Sequence, residues 1–76
     1  MKTDKEIIIL TELKVHEFYS RLDDEVRGHL IYMLNEIEFM YDTRKANRWL
    51  GFIHGTLVAL TDCTVEELRN MIREED

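Results

Sequence analysis

No proline interrupts these 76 residues, and glycine occurs only three times, at Gly28, Gly51 and Gly55. Hairpin turns and long loops draw on those two residues, so the chain has little with which to build a loop-rich or all-β fold. Its abundant Leu, Ile, Glu, Arg and Lys are good helix formers. An apolar share of 45% is ordinary for a globular chain and too high for a disordered one. Seventy-six residues make one domain at most, so residues 1–76 are expected to form a single all-α domain, a compact bundle of three to four helices. A bundle this small buries a modest fraction of its surface, which favours association with further copies.

Capping signals and apolar spacing divide the chain. Thr3 and Glu6 have capping-box spacing, which predicts a helix from about Asp4 to Tyr19. Ile7, Ile8, Val15, Phe18 and Tyr19 fall on one face of it and Ile9, Leu10 and Leu13 on another, so it has apolar surface to offer beyond its own bundle. The β-branched run Ile7 to Ile9 leaves a strand open there. Ser20 precedes a second helix, roughly Arg21 to Tyr41, with Asp23, Asp24 and Glu25 near its start. Val26, Leu30, Met33, Leu34, Ile37, Met40 and Tyr41 recur at the spacing of a buried stripe, while Tyr32 and Phe39 lie off it as candidates for a second interface. Asp42 or Thr43 can cap a third helix, about Arg44 to Leu60, with a core stripe of Ala46, Trp49, Leu50, Ile53, Leu57 and Leu60. Thr64 and Glu67 form another capping box, with Cys63 and Leu68 at staple positions. It opens a last helix from about Val65 to Glu74 that buries Val65, Leu68, Met71 and Ile72.

The third helix has a second side. At about 100° per residue, Asn47, Arg48, Gly51, Gly55, Val58 and Ala59 fall within about 60° of Arg44, opposite the core stripe. A glycine in a helix costs about 1 kcal/mol relative to alanine, so two of them one turn apart need a compensating gain. Close approach of another backbone, within the subunit or across an oligomer, is one such gain; a flat ligand is another. On the ligand reading Arg44, Lys45, Asn47 and Arg48 meet an anion, His54 donates beside them, and Trp49 or Phe52 stands at the groove edge above Gly51 and Gly55. Guanidinium forks fit phosphate oxygens, and free N–H groups at a helix start favour anions. On the packing reading the interface takes Gly51, Gly55 and Ala59, joined by Tyr32, Phe39, Ile9 and Leu13.

Other chemistry finds little footing. Sixteen acids against ten cations give a formal net charge of −6, which disfavours binding to a nucleic-acid polymer. His16, His29 and His54 fall on three separate helices without metal-site spacing, so no metal or cofactor is expected. Glu25 and His29 read as a surface pair. Cys63 is the only cysteine, which rules out an internal disulfide, and its staple position makes it a structural thiol rather than a nucleophile. No nucleophile, base and orienting group stand together, so no enzyme and no catalytic residue is expected. The longest apolar run is too short for a signal-peptide core or a membrane span, and the expectation is a cytoplasmic protein.

The segment Ala46-Asn47-Arg48-Trp49-Leu50-Gly51-Phe52-Ile53-His54-Gly55-Thr56-Leu57, followed by Thr64-Val65-Glu66-Glu67-Leu68-Arg69, resembles a family of short tailed-phage proteins. In that family the blocks read R-W-L-G-F-x-Q-G-x-L and T-[IV]-[DE]-E-L-[RK] at this spacing. The match spans about residues 44 to 69; His54 stands where the family usually has Gln, Val58 replaces a frequent Trp and Thr61 a frequent Gly. The resemblance implies a phage-encoded accessory protein acting by binding in the cytoplasm of the infected host. Counter-defence is then the expected role, by holding an anionic nucleotide immune signal at a subunit interface. Two alternatives stand beside it: an inhibitor or adaptor that grips a host protein through exposed aromatic and acidic surfaces, and an architectural oligomer.

Overall fold

A computed structural model describes residues 4–73. Four helices follow one another: α1 (Asp4–Glu17), α2 (Asp24–Ile37), α3 (Thr43–Leu60) and α4 (Val65–Ile72). A 3₁₀ turn (Tyr19–Arg21) links the first two, and no strand occurs among the described residues. The β-branched run Ile7 to Ile9 is therefore helical, carried by the good helix formers around it. The caps expected at Thr3 and the helix end at Glu74 lie outside the described residues.

Helix starts follow side-chain caps. The Asp23 carboxylate accepts the Val26 N–H at 2.9 Å and opens α2, so the helix begins three residues later than Ser20 would place it. That delay leaves Leu22 in an extended conformation, where it is buried between helices. Asp42, rather than Thr43, caps α3 by accepting the N–H groups of Arg44 and Lys45 at 3.0 and 3.2 Å. The Thr64 hydroxyl accepts the Glu67 N–H at 3.1 Å and starts α4. Glu67 itself turns towards Lys14 of α1, 3.7 Å away, tying α4 to the first helix.

Helix ends follow packing. After Ile37 the N–H groups of Phe39 and Met40 bond back three residues, to Glu36 and Ile37, so α2 tightens and stops short of Tyr41. Tyr41, expected in the core, consequently stands fully in solvent. Leu60 and Val65, also expected inside, flank the turn between α3 and α4 and are more than half exposed, and Tyr19 in the 3₁₀ turn is exposed as well.

The core consists of Val15, Phe18, Leu22, Leu30, Met33, Leu34, Ile37, Leu50, Ile53, Leu57, Cys63 and Leu68, with Ile7, Ile8, Val26, Met40, Ala46, Trp49 and Met71 packed around it. Thr11 is the buried polar residue among them. The Cα atoms span 31 × 29 × 16 Å, a slab little thicker than two packed helices. Such a thin body leaves one side of each helix near solvent, which is why Ile9, Leu13, Tyr32, Phe39 and Phe52 remain exposed.

Candidate functional site: the outer face of the third helix

α3 turns Leu50, Ile53 and Leu57 into the core and leaves its opposite side outside. Arg44, Asn47, Arg48, Gly51, Gly55 and Ala59 are all exposed there and Val58 is half-buried, so the angular spacing does bring them onto one face. A Cβ built on Gly51 or Gly55 meets no side chain and no other element within 4 Å. Packing inside the subunit therefore does not account for either glycine.

Three cations off this face are ion-paired. Arg21 is ion-paired with Asp62, Arg27 with Asp24, and Lys14 with Glu17 and Glu67. Among the described residues Arg44 and Arg48 have no carboxylate within ion-pair distance, although the chain is acidic. Lys45 sits to one side, its ammonium 5.5 Å from the centroid of the half-buried Trp49 ring. The Arg44 and Lys45 N–H groups expected to attract an anion are already held by Asp42. What this end of α3 offers a ligand is side-chain guanidinium rather than open backbone.

His54 lies at the inner edge of the face. Its Nε2 is 2.9 Å from the Thr11 hydroxyl of α1, and burial pushes its pKa below the ordinary value of 6.5. The ring is thus neutral at neutral pH, with only Nδ1 left for any ligand. Beyond it an apolar groove of about 460 Å³ runs between α3 and α4, floored by Gly55 and walled by Val58, Ala59, Val65, Leu68 and Ile72. On the other flank Phe52, Thr56 and Leu60 border a smaller groove against Val26 and His29 of α2. Phe52 meets the His29 ring edge-on at 6.0 Å, and His29 stacks on Tyr32 at 6.5 Å, forming an aromatic file across the two helices. Arg44, Lys45, Asn47 and Arg48 line neither groove.

Of the other expected interface residues, Ile9 and Phe39 both line a separate groove between the start of α1 and the end of α2, while Leu13 is exposed on α1. His29, Leu60 and Val65 border the α3 face without having been assigned to it from sequence, whereas Phe52 was read as an edge residue of the groove. Its angular position, about 80° from Arg44, places it there.

Reactive groups are few. Cys63 is buried, and burial first, then the neighbouring Glu67, pushes its thiol pKa up, away from the reactive thiolate. Among the described residues no three His, Cys, Asp or Glu side chains converge as a metal site, and no helix is long and apolar enough to cross a membrane. Comparison of the chain with family models, curated proteins and solved structures finds no match.

Proposed function

We propose that the protein works by binding rather than by chemistry, as a phage-type accessory protein, with the outer face of α3 as its working surface. The observation that carries this reading is the pairing of two bare helical glycines with two arginines that have no carboxylate partner among the described residues, all on one exposed face. An anionic ligand suits such a face. Each guanidinium presents a planar donor fork to phosphate oxygens, and the open glycine floor admits a flat ring. A sequestered nucleotide immune signal has both parts, and the likeness of residues 44 to 69 to short tailed-phage proteins supports a role in the infected cell. Arg44 and Arg48 stand on an open surface, so a second subunit is needed to wall the ligand in.

Thermal denaturation across a panel of cyclic and adenine-containing nucleotides tests this. A binder gains about 2.7 kcal/mol of stability at a hundredfold excess over Kd, and Arg44→Ala with Arg48→Ala removes the gain. Flat curves across the panel would sink the ligand reading.

A second reading, a grip on a host protein, is favoured by Phe39, which is 78% exposed beside Ile9, and by the Tyr32–His29–Phe52 file. A stoichiometric partner recovered from host lysate and lost on Phe39→Ala or Tyr32→Ala would support it; recovery unchanged by both substitutions would count against these surfaces.

A further inference from the structure

Leu68, Arg69 and Ile72 follow Val65 at three, four and seven positions, so α4 presents all four on one face. Only Leu68 of these is buried; Ile72 is half-buried and Val65 is more than half exposed. Across from them stand Gly55, Val58 and Ala59 of α3, too small to fill the space between the two helices. The groove they leave, about 460 Å³, falls within the roughly 300–1,000 Å³ of small-molecule sites.

The lining discriminates between ligands. Its apolar side chains are all aliphatic, so it has no ring for a base to stack on, unlike the Trp49 and Phe52 side of α3. No carboxylate lines it, although the chain carries a formal net charge of −6. Arg69 is exposed at its rim and, among the described residues, has no carboxylate within ion-pair distance, Glu66 one turn before it included. His54 is bonded at Nε2 to Thr11 and kept neutral by burial, so it brings no opposing charge.

We propose that this groove binds a free medium-chain aliphatic carboxylate, its tail along Val58, Val65, Leu68 and Ile72 and its head group on the Arg69 guanidinium. Burial of the tail supplies affinity, while the donor fork fixes orientation and the sign of the charge accepted. α4 has eight residues and runs about 12 Å, a length that suits a medium chain and leaves a long one partly in water. Arg44 and Arg48 line no part of this groove. Gly55 floors it and also belongs to the proposed nucleotide face, so variants at other positions separate the two sites.

Calorimetric titration of the full chain with decanoate, kept below its micelle-forming concentration, tests the assignment. Saturable one-to-one binding is expected, with a rise in melting temperature and amide shift changes grouped at residues 55–59 and 65–72. Arg69→Gln should weaken binding about threefold to fivefold. Decyltrimethylammonium should not bind, because its charge repels Arg69. Ala59→Leu fills the groove from an exposed position and should abolish binding without lowering the melting temperature; the Arg69 variant stays readable if that one fails to fold. Arg44→Ala with Arg48→Ala should leave decanoate binding intact, and Arg69→Gln should leave the nucleotide gain intact, so either reading can fail alone. Absence of saturable binding, shifts centred outside the groove, equal binding of the ammonium amphiphile, or capture by phosphatidylglycerol vesicles in place of free decanoate overturns the assignment.

Discussion

The Thr11 hydroxyl and His54 Nε2 lie 2.9 Å apart, joining two polar side chains that are 43 positions apart in the chain and bridge α1 and α3. Thr11 is fully buried, and the bond satisfies a hydroxyl that would otherwise be stranded among apolar side chains. Removing one member leaves the other, fully buried Thr11 or half-buried His54, without this partner. Thr11→Val is therefore expected to destabilise the fold by about 1–3 kcal/mol in urea titration, despite its conserved shape. A change of under about 0.5 kcal/mol would show that the pair contributes nothing measurable.

The same histidine makes stability depend on pH. Burial lowers its pKa in the fold below the ordinary 6.5, so in the window between the two values the unfolded chain binds a proton that the folded chain does not. Stability should fall as pH drops below about 6.5, where the unfolded histidine takes up a proton that the folded one resists. His54→Gln keeps a hydrogen-bonding group towards Thr11 and does not titrate, so its urea midpoint should fall less over the same range. Equal losses in the two proteins would remove His54 as the cause.

Filling the bare glycines should strengthen the folded chain. Gly51→Ala and Gly55→Ala place a methyl where no other element lies within 4 Å, and each is expected to add about 1 kcal/mol of helix propensity. Urea unfolding in dilute solution reads this without contribution from association. Destabilisation by either alanine would mean that another backbone already occupies the space.

Two leucines on one helix should behave oppositely. Leu57 is completely buried and Leu60, three residues on, is 54% exposed. Leu57→Ala is expected to cost about 2–5 kcal/mol, while Leu60→Ala stays within about 0.5 kcal/mol. Comparable losses would place Leu60 in the core.

Asp42→Ala removes the acceptor of two N–H groups at the start of α3 and should cost about 1 kcal/mol, whereas Thr43→Ala at the first helical position should cost little. The reverse order would move the cap to Thr43.

Much of the fold was legible because it depends on near neighbours. The start of α3 at Asp42, the cap at Thr64 and the buried stripe Leu30, Met33, Leu34 and Ile37 rest on groups within a turn or two of one another. The α3 face was legible for the same reason, since a helix period alone places Arg44, Arg48, Gly51 and Gly55 together. Helix ends were less so. Tyr41 continues the α2 stripe on paper, but the chain tightens after Ile37 to reach the Asp42 cap, and the side chain leaves the core.

The sequence by itself determined that this chain is helical, where most of its helices begin and which side of α3 carries cations and glycines, because backbone sterics, caps and period act locally. Only the tertiary structure decided that Thr11 is buried against His54, that Leu22 fills the core from a turn, and that nothing stands within 4 Å of where a Cβ on Gly51 or Gly55 would lie. Each of those depends on which helices lie side by side, which period and caps do not encode.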